Sequence, residues 1–477
     1  MLLGRCGFAA SVNPLMSRRK KKSPYSRLED SDLRNRCQTC YGFGEIIEEF
    51  YGYGVLQTRM HKTIYAAILM SMTVQIPQAQ PGSVIENATG RVLTGLEVLL
   101  AERLELVEGK RIAVVCNHTS RNAKGEHLVS LLSSHSTVTA ILGPEHGFSG
   151  NRPAGELLPD LGDPFEGIPV FSLYGEFRSP TREMLSGAEM VVFDIQDIGT
   201  RFYTYISTLY LTMQSCARDG IPLLVLDRPN PITGEAVEGP VAHPGSLSFV
   251  GIAPICIRHG MTVGELALLF NSGHFLAHRV GAHVQVIPMK GWSRSQCYDQ
   301  TGLPWIPPSP NMPTCDTALV YPGTGLFEGT NISEGRGTER PFEVIGAPWI
   351  DGEKWADTLN ALELPGVVFS ATAFTPIRIP EKVPSPKYQD HLCYGVQVSV
   401  TNRNSFQAVA VGVAMLCTAR TLFPDYFQCS KHLNSLWGSE RLREQLYDRI
   451  DWKQILFETE LERQSFISLR KNSLLYR

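Results

Sequence analysis

Glu145 and His146 stand side by side in Val138-Thr-Ala-Ile-Leu-Gly-Pro-Glu-His-Gly-Phe-Ser-Gly-Asn151, directly after an apolar run (residues 138–142) of the kind that forms a buried strand. A carboxyl group and an imidazole at a strand end are placed for proton transfer. Gly143-Pro144 breaks the run, and Gly147 and Gly150 let the chain turn tightly. One such turn alone reads equally well as two solvated polar residues. Weight comes from neighbouring apolar runs that end the same way. Residues 111–116 lead into His118, 168–173 into Tyr174 and Glu176, 190–195 into Asp197 with Asp194 inside the run, and 223–226 into Asp227-Arg228.

These ends need a scaffold that gathers them. Between the apolar runs lie helix-like stretches at 95–103, 126–134, 181–185 and 202–219, and Thr262 with Glu265 forms a capping box for a helix to 271. Strands that are apolar throughout and alternate with helices predict an α/β fold, a Rossmann-like doubly wound parallel sheet covered on both faces. Right-handed crossovers then place His118, Glu145, His146, Tyr174, Glu176, Asp194, Asp197, Arg201, Asp227 and Arg228 on one rim. Asp194 lies inside a strand, so a catalytic role competes evenly with a structural ion pair to Arg228. Phe202, Tyr203 and Tyr205 either stack on a sugar or pack beneath the rim.

The 477 residues carry a net charge of −3 and are 43% hydrophobic, enough for a large core and two domains and unlike a nucleic-acid binder. The eleven cysteines show no repeated spacing beyond Cys37/Cys40, half of a zinc or redox motif. Residues 1–59 read as a disordered leader or an extension ahead of the true start. Residues 60–79 have a short basic start at Met60, an apolar middle and a small residue, Ala79, at the cut site, as a signal peptide does. That implies a periplasmic or secreted protein without stable membrane insertion, or a cytoplasmic one if the segment is unused. Residues 80–290 form the Rossmann-like catalytic domain and 291–477 a smaller α/β domain that contributes to the cleft. No Gly-x-Ser-x-Gly elbow, phosphate loop, dinucleotide fingerprint or His-Glu-x-x-His is present. No cofactor is expected, and no metal, because His118, Glu145 and His146 lack ligand spacing.

Two stretches of the second half stand out. The proline-rich residues 305–313 are either a stiff cleft wall or a rigid linker. Residues 321–342 are dense in glycine, glutamate and arginine, which predicts a loop that approaches a ligand closely. Glu328, Asn331, Glu334, Arg336 and Arg340 lie in it.

Gly143-Pro-Glu-His-Gly-Phe148, Phe193-Asp-Ile-Gln-Asp-Ile-Gly-Thr-Arg-Phe-Tyr-Thr-Tyr205, Leu226-Asp-Arg-Pro-Asn-Pro231 and Tyr321-Pro-Gly-Thr-Gly-Leu-Phe-Glu-Gly-Thr-Asn331 together resemble the NamZ-like exo-β-N-acetylmuramidases, a bacterial family that was long uncharacterised. The resemblance runs from about residue 94 to the end. It implies release of N-acetylmuramic acid from the non-reducing end of peptidoglycan fragments (muropeptides or disaccharides), in a cleft between the two domains, with Glu145 as the catalytic glutamate. One departure is Ser149, where the family commonly has arginine; Arg152 is the nearest substitute.

The residues fit that chemistry on their own terms. Glycoside hydrolysis uses one carboxyl group to protonate the leaving oxygen and a second group as base or nucleophile. Glu145 is the better acid, with apolar Phe148 and His146 beside it. Asp194, Asp197, Glu328 and Glu334 compete for the second role with the substrate's own acetamido group. The lactyl carboxylate of N-acetylmuramic acid favours an arginine fork, from Arg201, Arg336 or Arg340. His118, Tyr203 and Asn331 complete the expected substrate contacts. Two other classes remain: a non-catalytic cell-wall sugar-binding protein and a metal-dependent amide or ester hydrolase.

Overall fold

The computed structural model describes residues 90–159, 161–272 and 281–477, all within one compact unit, residues 79–477. The leader and signal-peptide expectations, residues 1–79, lie outside the described residues. Among those described, no helix is long and apolar enough to cross a membrane.

In chain order the first half contains α1 (Gly95–Glu102), β1 (Arg111–Cys116), α2 (Leu128–Ser133), β2 (Thr137–Gly143), β3 (Leu161–Phe165), β4 (Ile168–Ser172), β5 (Met190–Asp194), α3 (Tyr205–Asp219), β6 (Leu223–Leu226), β7 (Glu238–Val241), β8 (Cys256–Arg258), α4 (Val263–Asn271) and β9 (Val284–Ile287). Seven strands make one sheet, ordered β3-β4-β2-β1-β5-β6-β9, and all its pairings are parallel except β3 with β4. β1 shows why the sheet is covered on both faces. Ala113 and Val115 join the larger apolar core, whereas Ile112, Val114 and Cys116 join a second core on the opposite face.

The second half contains α5 (Cys315–Thr324), β10 (Val344–Ala347), α6 (Gly352–Asn360), β11 (Val367–Phe374), β12 (Cys393–Val400), α7 (Ala408–Leu422), α8 (His432–Trp437), α9 (Arg441–Tyr447), α10 (Trp452–Glu458) and α11 (Glu460–Arg470). Its sheet is antiparallel, ordered β10-β12-β11. The larger core is continuous from Phe193 and Ile206 to Trp355 and Val396.

Four local readings need correction. Residues 181–185 form turns, not a helix: Thr181 hydroxyl takes the Met184 amide, and Gly187 at φ +79° turns the chain away. The long helix begins at Tyr205, not 202, because Arg201 N–H pairs with Ile257 carbonyl and Thr200 bridges Arg258. β3 went unforeseen because Leu-Gly-Asp-Pro-Phe has no strand-like pattern; its proline is tolerated at the edge of the sheet. The glycine-dense stretch is helical where it begins: residues 321–324 close α5, with Pro322 inside. A Cβ on Gly323 or Gly412 would overlap the other helix's backbone, so these glycines let α5 and α7 touch. The Thr262–Glu265 capping box and the start of α1, capped by Thr94, are as the sequence predicts.

Candidate active site

The carboxyl ends of β1, β2, β4, β5 and β6 share one rim, because these strands are parallel neighbours. The turn after β2 is built for close approach. Gly143 packs against the Phe148 amide, Gly147 donates its N–H to Pro144 carbonyl at 2.9 Å, and Gly150, at φ +70°, lies against the His118 ring with no room for a side chain. His146 itself adopts a left-handed φ of 71°. Such strain in a residue other than glycine persists only where the surroundings fix it, and it concentrates at functional sites.

Glu145 is 7% exposed, and both its oxygens are engaged. Oε1 accepts the Gly155 amide at 2.8 Å, and Oε2 accepts the Thr204 hydroxyl at 2.5 Å. A hydroxyl can donate to a carboxylate or accept from a carboxylic acid, so Thr204 serves Glu145 in either form. His146 Nδ1 lies 2.7 Å from the Arg152 carbonyl. Since a carbonyl only accepts, Nδ1 carries the proton and Nε2 keeps a lone pair. Burial lowers the His146 pKa and outweighs the raising effect of the Glu145 charge, so the ring is neutral near pH 7.

Glu145 and His146 line a cavity of about 290 Å³ with Tyr174, Tyr203, Thr204, Glu328 and Arg336. Part of its wall is the proline-rich stretch, through Ser309, Asn311 and Met312. Tyr205 hydroxyl fixes that wall by donating to Pro308 carbonyl at 2.5 Å, and His118 Nε2 meets Pro307 carbonyl at 2.8 Å. An aromatic wall joins Phe202, Tyr203, Tyr321 and Phe342 through edge-to-face contacts, with Tyr321 and Phe342 centroids 4.6 Å apart. Phe342 is a second strained residue, at φ 65°.

Opposite charges meet beside this wall. Arg336 donates to Glu328 at 2.5 Å, lies 3.4 Å from Glu334 and covers the Phe342 ring. Burial would lower the Arg336 pKa, but Glu328 and Glu334 raise it above its ordinary value. Glu334 in turn is held below the usual carboxylate range: burial pushes it up, and Lys387 and Arg336 together outweigh that. Lys387 also donates to the carbonyls of Phe327 and Ile332, at 2.8 and 3.1 Å, and so pins the turn that presents Glu328.

The structure thus gathers Glu145, His146, Tyr203, Glu328 and Arg336, with Glu334 behind Arg336. Other candidates stand elsewhere. Asp194 is held at both oxygens by Arg228, and Asp197 accepts the Gly199 amide at 2.7 Å and faces buried His259. Arg201 is fully buried and donates to the carbonyls of Pro240, Ile255 and Leu436, so it is not free to meet a substrate. Asn331 ties Tyr426 carbonyl to the Gln428 amide. Arg340 is exposed, and His118, Phe148 and Ser149 line a separate, wider groove of about 1110 Å³. Arg152 is drawn toward Glu156, 3.9 Å away. Thr204 and Lys387 were not foreseen. Thr204 lies inside one of the long sequence motifs, but Lys387 gives no signal of its own. Among the described residues, no three His, Cys, Asp or Glu side chains converge as metal ligands would.

Residues 112–316 match the model of the exo-β-N-acetylmuramidase NamZ N-terminal domain, and residues 319–476 match that of the C-terminal domain. The chain is 42% identical over 425 residues to the peptidoglycan β-N-acetylmuramidase NamZ of Bacillus subtilis (strain 168), covering 87% of this chain and all of the relative. Crystal structures of two DUF1343 family proteins of Bacteroides fragilis NCTC 9343 superpose with TM-scores of 0.75 and 0.67, at 34% and 33% identity. Each comparison covers 81% of this chain and 99% of the other.

Proposed function

The chain belongs to the NamZ exo-β-N-acetylmuramidase family, and from that premise we propose that it is a glycoside hydrolase that removes N-acetylmuramic acid from the non-reducing end of peptidoglycan fragments. The observation that carries the reading is Glu145, a buried carboxyl group facing a sugar-sized cavity, with a hydroxyl partner able to follow its change of protonation. Glu145 protonates the glycosidic oxygen as the bond to the anomeric carbon breaks. Of the four carboxylates that compete for the second role, Glu328 alone lines the same cavity, and Arg336 fixes its orientation. Its charge offsets the positive charge that develops at the anomeric carbon, to which water finally adds, giving up a proton that replaces the one Glu145 donated. His146, neutral with Nε2 free to accept, orients a sugar hydroxyl. The aromatic wall supplies an apolar face to the ring.

The substrates in this reading are muropeptides and disaccharides, met outside the cytoplasm after cleavage behind Ala79. Incubation with N-acetylmuramyl-N-acetylglucosamine should release both monosaccharides, and an intact disaccharide would overturn the reading. A mature protein that begins at Gln80 would support export; one that retains residues 60–79 would count against it.

A further inference from the structure

We propose that Arg178 is the residue that recognises the lactyl carboxylate, and so the one that distinguishes N-acetylmuramic acid from sugars without that group. The inference rests on the hydrolase reading above for the identity of the sugar. Most cations near the cavity have their bonding capacity already taken. Arg336 is neutralised by Glu328 and Glu334, and Lys387 by Glu334 and two carbonyls. Arg201 is fixed on three carbonyls and Arg228 on Asp194. Arg340 and Arg152, the other arginines that the sequence put forward, are exposed to solvent, and Arg152 is drawn toward Glu156.

Arg178 is different. Its guanidinium sits 4.4 Å from the centroids of both Tyr174 and Phe249, in the angle between two rings whose centroids are 5.5 Å apart. Among the described residues no carboxylate forms a salt bridge with it. Ring faces and a hydrogen bond to the Tyr174 phenol hold the guanidinium in place, and its remaining N–H donors match a carboxylate in a bidentate way. The position is also right. Arg178 does not itself line the cavity that holds Glu145, but its ring partner Tyr174 does, as does Val250, next to Phe249. The Tyr174 phenol is close enough to Glu145 and Arg178 to respond to both: burial and the Glu145 charge raise its pKa, and Arg178 partly offsets them. A carboxylate bound at Arg178 is therefore one side chain away from the group that cleaves the bond.

The test compares a chromogenic N-acetylmuramide with the same glycoside carrying a lactyl carboxamide. The wild-type enzyme should prefer the acid by about tenfold to a hundredfold, as expected for a charge-assisted bidentate contact. In Arg178→Met that preference should collapse toward one. An equal loss on both substrates, leaving the ratio unchanged, would show a structural role and overturn the inference. If Arg178→Met does not fold, Arg178→Lys reads the same ratio, because it keeps the charge and loses the fork; the preference must still fall severalfold. Calorimetric binding of N-acetylmuramic acid against N-acetylglucosamine separates the two readings. Arg178-dependent discrimination without turnover would sink the hydrolase and keep the contact, whereas turnover with Arg178-independent discrimination would do the reverse.

Discussion

Glu145 and Asp194 occupy nearly equivalent places. β2 and β5 are the two parallel neighbours of β1; Asp194 is the last residue of β5, and Glu145 follows β2 by two residues. Both side chains are buried, at 7% and 0% exposure. Their partners differ. Asp194 meets a guanidinium, which can only donate, and Ser120 holds its backbone carbonyl. Glu145 meets a hydroxyl that can reverse its role and an amide, and it faces a cavity. Burial therefore does not make a carboxyl group chemical. What separates the two is a partner that can follow a proton and the open space beside it.

The largest expected effect breaks the comparison on the Glu145 side. Glu145→Gln keeps the shape, and its amide can still accept from Gly155 and donate to Thr204. Turnover of a chromogenic N-acetylmuramide should fall about 10²- to 10⁴-fold, the range for loss of a general acid. The melting temperature should stay within about 2 °C. Turnover within a few-fold of wild type would remove Glu145 from the mechanism.

Asp194→Asn should do the reverse. It leaves the Arg228 charge buried without its counter-ion, a loss of about 3–5 kcal/mol in stability that denaturant unfolding would read. Activity per folded molecule should be largely kept. Replacing both partners together, Asp194→Leu with Arg228→Met, should recover much of the loss, because no charge is then stranded. A stable but inactive Asp194→Asn would place the chemistry at β5 instead.

The contrast also explains what could be read from the sequence. β1, β2, β5 and β6 were legible because strands buried on both faces are apolar throughout, and parallel pairing then fixes the rim. The roles along the rim were not. Whether Asp194 is catalytic depends on Arg228, 34 residues away, and Arg201 looked as available as any arginine until three carbonyls closed around it. The glycines at 323 and 325 looked like a ligand loop because close approach to a neighbouring helix or ring demands the same residue as close approach to a substrate. Local sequence reports that a group is buried or a backbone is crowded; the identity of the neighbour is tertiary information.

A smaller effect sharpens the Glu145 side. Thr204→Val keeps the volume and removes the reversible partner of Oε2. Hydrogen bonds to charged groups contribute about 1.5–3 kcal/mol, so kcat should fall about tenfold to a hundredfold, less than for Glu145→Gln. Thr204→Ser should restore most of it. If valine is as active as threonine, the hydroxyl does not accompany the proton.

The smallest effect concerns pH and the neutral imidazole beside Glu145. Burial lowers the His146 pKa below its ordinary 6.5, so at mildly acidic pH the unfolded chain binds a proton that the folded chain refuses. Stability then rises with pH: the contribution is complete above 6.5 and is lost as pH falls from there through the lower folded value. His118 and His127 are shifted in the same direction, also chiefly by burial, so the wild-type slope has several contributors. His146→Asn isolates one of them. Asparagine tolerates the left-handed φ, and its amide can replace the Nδ1 donor to the Arg152 carbonyl. Denaturant unfolding between pH 5 and 7 should show the slope reduced by at most one proton, about 1.4 kcal/mol per pH unit. An unchanged slope would mean that His146 takes up its proton in the folded protein as readily as in the unfolded one, and the acceptor assigned to the cavity would then become a cation below about pH 6.5.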